Sequence, residues 1–240
     1  MISAPSTAYP GDGDPNSRGS CIQARFTAET DGPSPPVICG TNTGLHMILE
    51  AREEPACNKL TFTWEDSQDN QWKIQVMQIS CSAHWRPAAG CLQYFTGNTG
   101  VLYSYNYGGS LHLTNQQYNL CIRTEEGRCS ISYSSLSSTS FQISEIAPST
   151  SAAIAQIGES CSQDWITIPG GGQTPGASTS SDRHCGSYLS YTTLGTSPTT
   201  IITNKMPFKV GVNFDGTEVD SSSANEWSKG FAIYYSQNSC

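Results

Sequence analysis

Ten cysteines are the residues of this chain best suited to chemistry, and their spacing indicates which chemistry it is. Their number is even, they are spread over the whole chain, and no two of them form a C-x-x-C pair. A structural zinc site usually draws on such paired ligands, and His84 and His184 lie in no matching C-x-x-C…H-x-x-x-H arrangement. The cysteines therefore predict a framework of disulfides formed in an oxidising compartment.

The motifs of hydrolytic enzymes are missing from the sequence. It contains no G-x-S-x-G nucleophile elbow and no H-E-x-x-H zinc-protease motif. The four histidines lie in no recognisable triad context: His46, His84, His112 and His184. We therefore expect no catalytic residues and no enzymatic activity.

Composition and charge exclude two classes of partner. Charged residues make up 13% of the chain, about half of the roughly 25% that is usual in soluble domains. The formal net charge of −8 disfavours binding to nucleic acids and to anionic membrane surfaces. No run of 18 or more apolar residues is present, so we expect no membrane insertion.

The elements that must position the cysteines are short strands separated by turns rich in Gly, Ser and Pro. Residues 72–79, WKIQVMQI, place Trp72, Ile74 and Val76 on one face and more polar residues between them, which is the period of a strand. Later segments such as FKVGVNF and GFAIYYS show the same alternation. The sequence predicts an all-β protein.

Cys91 and Cys121 bracket an aromatic segment with turn glycines and the element Ser104-Tyr105-Asn106-Tyr107. Further matching pieces follow in order: Cys161–Asp164, His184–Gly186, Phe208–Asp215 and Gly230–Tyr235. Together these pieces resemble a CUB domain, an extracellular jelly-roll β-sandwich. The segments GCLQYFTG, YNLCIR and GFAIYYSQNSC are most similar to those of secreted arthropod proteins that carry CUB domains in tandem.

Three parts are expected. Residues 1–20 combine Pro, Gly, Ser and Asp without periodicity, which predicts an irregular polar N-terminal segment. The resemblance implies that residues 86–240 form a disulfide-linked CUB-type sandwich. Residues 21–85 form a partial, half CUB-like β module, because PVICGTNTG at 36–44 resembles the region of the fourth CUB cysteine while the preceding strands are missing. A half sandwich exposes an apolar sheet face, so we expect this module to bind a partner or a second copy of the chain.

The resemblance also implies how the cysteines pair. The five expected disulfides are Cys21 with Cys39, Cys57 with Cys81, Cys91 with Cys121, Cys129 with Cys240, and Cys161 with Cys185.

Calcium is the one metal that the resemblance implies, held by Glu145, Asp164 and Asp215. Calcium takes six to eight oxygen ligands, so three carboxylates with carbonyls and water are chemically adequate. The alternative is that these acids only solvate loops. No other cofactor is expected.

The resemblance favours a secreted, non-catalytic extracellular interaction or structural protein. It would act through protein contacts with other extracellular proteins or with its own copies. The alternative is a glycan-binding, lectin-like module that uses a set of aromatic side chains: Tyr94, Tyr103, Tyr105, Tyr188 and Tyr191.

Overall fold

A computed structural model describes residues 2–3, 19–22, 24–54, 56–64, 71–107, 111–143, 154–177, 182–216 and 228–240. Within these ranges the protein is all-β apart from one short 3-10 turn at Gly158–Ser160. No helix in the described ranges is long and apolar enough to cross a membrane. In chain order the strands are β1 Ile2–Ser3, β2 Ala24–Glu29, β3 Lys59–Trp64, β4 Lys73–Ile74, β5 Gln93–Phe95, β6 Thr99–Tyr103, β7 Gln116–Ile122, β8 Arg128–Ser135, β9 Phe141–Gln142, β10 Ala155–Ile157, β11 Trp165–Thr167, β12 Arg183–Gly186, β13 Ile201–Thr203, β14 Lys209–Phe214 and β15 Gly230–Ser239.

Strands β5 to β15 form a two-sheet sandwich. One sheet has the order β10-β12-β11-β14-β7-β5, and the other has the order β13-β8-β15-β6, with β9 also paired to β15. Neighbouring strands are antiparallel except for β5 and β7, which run parallel. The predicted all-β, disulfide-linked sandwich is confirmed.

The alternation of apolar residues fixes which face of each strand points inward. In β14, Val210, Val212 and Phe214 are buried and the residues between them are more exposed. In β15 of the opposite sheet, Ile233 and Tyr235 are buried in the same core. Each such side chain contributes about 1.5–3 kcal/mol when it leaves water, so the period of two is enough to hold the sheets face to face.

Residues 24–64 contain an antiparallel pair of strands, β2 and β3, which we call the N-terminal hairpin although a long connection joins them. Ile38, in that connection, bridges to Phe26 at the outer edge of β2. Phe26, Ile38 and Met47 are buried in the same apolar cluster as the sandwich residues. The N-terminal part of the chain therefore has no separate core, because it completes its burial against the sandwich.

The predicted strand over residues 72–79 is much shorter in the structure. Only Lys73 and Ile74 pair, and they pair with β1. Val76 and Met77 are both exposed, so the apolar alternation of this segment does not lead to burial. A strand needs a neighbouring backbone to form its ladder, and none of the described strands lies beside residues 75–79.

Four of the predicted disulfides are present: Cys21–Cys39, Cys91–Cys121, Cys129–Cys240 and Cys161–Cys185. The fifth predicted pair is not formed, since Cys57 and Cys81 are exposed, free cysteines in the described part of the chain. A disulfide requires two Cα atoms within about 7 Å. No strand pairing among the described residues joins the segment of Cys57 to that of Cys81, since β3 pairs with β2 and β4 pairs with β1.

Two buried asparagines join the N-terminal part to the sandwich, and we call this junction the asparagine seam. The backbone N–H of Asn106 donates to Oδ1 of Asn42 at 2.9 Å. In return, the backbone N–H of Thr41 donates to Oδ1 of Asn106 at 2.8 Å, and Nδ2 of Asn106 donates to the Leu111 carbonyl at 2.7 Å. Asn106 is fully buried and has a φ of 61°. Asparagine tolerates this left-handed conformation better than most residues do.

His46 and Tyr105 form a second set of contacts along the same junction. The Tyr105 hydroxyl donates to the His46 carbonyl at 3.0 Å, and the Tyr94 N–H donates to Nε2 of His46 at 2.8 Å. A ring nitrogen that accepts a hydrogen bond must be unprotonated, and burial lowers the pKa of His46 in agreement with that role. The orientation of the N-terminal part is thus set by directed hydrogen bonds as well as by apolar burial.

Replacing Asn106 with Asp is expected to destabilise this junction. The new carboxylate can still accept from Thr41 but cannot donate to the Leu111 carbonyl, so a buried charge faces an unsatisfied acceptor. We expect a loss of roughly 1–3 kcal/mol in the free energy of unfolding, measured by denaturant titration. Asn98→Asp, on an exposed turn residue, is the matched control. Equal stability of the two variants would contradict the role given to the asparagine seam.

Candidate functional site

Asp164 and Asp215 are brought together by two antiparallel strands. Asp164 directly precedes β11 and Asp215 directly follows β14, and Trp165 pairs with Asn213 in the register of these strands. Both carboxylates therefore lie at the same end of the six-stranded sheet. The backbone N–H of Asp215 donates to Oδ1 of Asp164 at 2.7 Å.

His112 completes this buried centre from the loop before β7. Its Nε2 lies 3.8 Å from Oδ2 of Asp164, and its ring centroid lies 4.2 Å from that of Phe214. Burial raises the pKa of Asp164 to about 7 and lowers the pKa of His112 to about 4. At neutral pH the imidazole is neutral, so this contact is not an ion pair.

These groups do not by themselves fit a calcium ion. Calcium needs six to eight oxygens, whereas Asp164 already accepts a backbone N–H at one oxygen and faces an imidazole ring at the other. Among the described residues no three His, Cys, Asp or Glu side chains converge as metal ligands. Glu145, the third predicted ligand, lies outside the described residues.

A second candidate site is a row of aromatic rings on the N-terminal hairpin. The ring of Phe62 is 5.0 Å from Phe26 on its buried side and stacks on Trp72 at 4.8 Å with an interplanar angle of 15°. The Trp72 ring is in turn 5.1 Å from Trp64. Trp64 and Trp72 are 49% and 44% exposed, so the row leads from the core to solvent.

Exposed apolar side chains are concentrated in the same part of the molecule. Of the eleven large hydrophobic side chains that are exposed among the described residues, seven lie between residues 21 and 85: Ile22, Val37, Trp64, Trp72, Val76, Met77 and Trp85. We call these seven residues the N-terminal face; two of them, Trp64 and Trp72, are in direct ring contact. Soluble proteins rarely expose so many apolar residues in one stretch unless another surface covers them.

The sequence predicted an exposed apolar face in this region but not the residues that form it. Trp64 and Trp72 were the available signal, since each stands in a strand-like run beside polar residues. Their stacking was not visible, because it depends on how the chain returns to the hairpin after β3.

The tyrosines proposed for glycan contact do not form one exposed row. Tyr105 is 2% exposed, and its hydroxyl is used inside the junction, which corrects its assignment as a surface residue. Tyr94, Tyr103, Tyr188 and Tyr191 are half-buried. Tyr103 packs against Tyr107 with ring centroids 5.7 Å apart, which is ordinary sheet packing.

Comparison with known proteins gives a family match. Residues 88–238 match the model of the animal CUB domain. Among solved structures, the CUB1-EGF-CUB2 domain of human MASP-1/3 is 15% identical with a TM-score of 0.35, and the alignment covers 99% of this chain and 87% of that chain. The CUB1-EGF-CUB2 domains of rat MASP-1 are 14% identical with a TM-score of 0.31, at 98% and 84% coverage. These TM-scores support no structural conclusion, and no curated protein matches the chain.

Calcium and a chelator are expected to give the same melting temperature, because no three potential metal-ligating side chains converge here among the described residues and calcium needs six to eight oxygens. Asp164→Asn keeps the acceptor for that N–H and removes a buried charge. A carboxyl pKa raised from 3.8 to about 7 means that folding is weakened as pH rises through this window. The Asn variant should therefore melt above wild type at pH 8, and the difference should shrink as pH falls toward 4.

The control is Glu126→Gln, which neutralises an exposed carboxylate. A wild-type melting temperature that rises in calcium, with the rise abolished in Asp164→Asn, would show instead that Asp164 is a calcium ligand.

Proposed function

The chain belongs to the animal CUB domain family, and on that premise we propose that it is a secreted, non-catalytic interaction protein that self-associates through its N-terminal face. CUB domains are generally extracellular modules for protein–protein contact and are not catalytic. The proposal keeps the three predicted parts: the polar segment 1–20, the partial module 21–85 and the CUB domain 86–240.

One observation supports this proposal above the others, namely the unequal distribution of exposed apolar side chains. The CUB part of the described chain exposes only four large hydrophobic side chains, scattered as Leu136, Leu194, Met206 and Tyr234. The N-terminal face carries the remaining seven. Because isolated exposed residues are normal and clustered ones are not, the contact surface belongs to the N-terminal part.

The rigid mounting of this face favours specific contact. The asparagine seam and the hydrogen bonds of His46 hold the N-terminal part on the sandwich. A face that is already positioned loses less conformational entropy when it binds. The part of the chain at residues 41–46 is therefore held on the sandwich in one defined orientation, which favours binding in a single arrangement.

Charges placed on the most exposed part of the N-terminal face should disrupt self-association. Val76 and Met77 are 73% and 66% exposed, so Val76→Glu with Met77→Glu should leave the fold intact. In an interface each Glu would lose water without gaining a partner, and we expect the dissociation constant to rise by roughly tenfold or more. Sedimentation velocity over a range of concentrations measures the change.

Leu194→Glu is the matched control, since Leu194 is also 66% exposed but lies in the CUB part. If the wild-type protein stays monomeric at high concentration, or if the Leu194 variant dissociates as readily as the double variant, the proposed surface is wrong.

The second candidate function is glycan binding, and the exposed rings of Trp64 and Trp72 favour it. Flat aromatic faces stack on the apolar faces of sugar rings, and the two tryptophans are better exposed than the tyrosines first considered. On a glycan array this function gives saturable binding that Trp64→Ala abolishes and Tyr234→Ala, a change to an exposed tyrosine of the CUB part, retains. An array without saturable binding would leave protein contact as the function.

Two finer parts of the proposal rest on sequence resemblance alone. One is that the chain is of the secreted tandem-CUB type found in arthropods, which is based on the sequences of the segments that flank its cysteines. The other is a calcium site, which would need Glu145 beside Asp164 and Asp215 because the two aspartates alone do not fit the ion. The melting experiment above tests that site.

A further inference from the structure

Two thiols of this protein differ from all its other cysteines. Eight cysteines are bonded in four pairs. In one pair, Cys129–Cys240, both cysteines are at exposed positions. Exposure alone therefore does not keep a cysteine of this chain reduced. Cys57 and Cys81 are nevertheless exposed and unbonded. In a compartment that oxidises the other eight, unbonded exposed thiols are available for bonds with another chain.

Both thiols belong to the N-terminal part of the chain, which also contains the seven exposed apolar residues. Cys57 comes two residues before β3, the strand that carries Trp64. Cys81 comes four residues after Met77, on the exposed segment that follows β4. A second chain that covers this part of the molecule therefore meets two exposed, unbonded thiols.

The number of thiols suits one arrangement of two copies. In a two-fold symmetric dimer, if one residue of the first copy contacts a second residue of its partner, the reverse contact is also made. Two Cys57–Cys81 bonds satisfy this symmetry without lying on the two-fold axis, whereas a Cys57–Cys57 bond and a Cys81–Cys81 bond would both have to lie on it. We propose that Cys57 of each copy bonds Cys81 of the other, so that two interchain disulfides join a dimer through the N-terminal face. This inference rests on the proposed self-association.

The bonds form by thiol–disulfide exchange with a small-molecule or protein disulfide, which is the oxidant. A thiolate attacks one sulfur of that disulfide, forms a mixed disulfide and releases one thiol. The opposite thiolate then displaces the second thiol and closes the interchain bond. For each interchain bond, two thiols lose two protons and two electrons, and one donor disulfide is reduced to two thiols.

The test uses the full chain, prepared once unlabelled and once labelled with ¹⁵N, and mixed before oxidation in a buffer of reduced and oxidised glutathione. We expect a dimer on a non-reducing gel that becomes a monomer on reduction. Mass spectrometry of the digest should find the Cys57 peptide linked to the Cys81 peptide. The mixed-label form should be about twice as abundant as either pure form, as random pairing of two copies gives.

Three results would overturn the inference. The first is a Cys57–Cys81 link found only in pure-label forms, which is a bond within one chain. The second is alkylation of both thiols by iodoacetamide in the folded protein after oxidation. The third is bonding of Cys57 only to Cys57. Ser82→Ala, a change beside Cys81, is the control that should leave the dimer intact.

The variant Cys57→Ser with Cys81→Ser separates this inference from the proposed function. We expect it to lose the covalent dimer while it still associates reversibly in sedimentation experiments. Reversible association of this variant, combined with a wild-type protein that forms no interchain bond, would overturn the disulfides and leave the proposed function standing. Loss of all association in both proteins would overturn both.

Discussion

The junction between the N-terminal part and the sandwich depends on the hydrogen bonds of Asn42 and Asn106. Residues 24–64 provide only a two-stranded hairpin, and such a hairpin is at best marginally stable by itself in water. Its buried side chains, Phe26 and Ile38 among them, need the sandwich as their second layer. The paired amides satisfy the polar backbone groups that this packing removes from water, and a buried polar group without such a partner would cost as much as the packing gains.

The acidic end of the sandwich shows a different use of burial. Asp164 and His112 lie side by side where water is excluded. Burial raises the pKa of Asp164 and lowers the pKa of His112, and both shifts favour the neutral form of the side chain. The imidazole is neutral at neutral pH, so this end of the sheet holds no buried ion pair and carries a single buried charge when Asp164 ionises. Contact with partners is left to the surface, and the apolar surface is concentrated in the N-terminal part.

The sandwich could be predicted from the sequence because the alternation of apolar residues can be recognised within each single strand. The period of two in FKVGVNF decides which residues are buried, and four cysteine pairs follow the order of the family pattern. The segment WKIQVMQI has the same period, yet only Lys73 and Ile74 become a strand, because pairing depends on a neighbour and not on the pattern alone. Tyr105 fails as a surface residue for a related reason. Its burial is caused by the return of residues 42–46 over the sandwich, which sequence spacing does not encode.

An apolar face and a pair of thiols have complementary roles in assembly. A few exposed side chains on a hairpin give non-directional attraction, while a specific interface usually needs about 800 Å² of buried surface on each partner. A disulfide requires closely matched geometry but contributes little until the two chains have met. In the proposed dimer, apolar contact brings Cys57 and Cys81 of two copies together, and a first bond makes every later contact intramolecular, which raises the effective concentration of the face for its partner. Weak apolar contact and covalent bonds would in this way stabilise one assembly together.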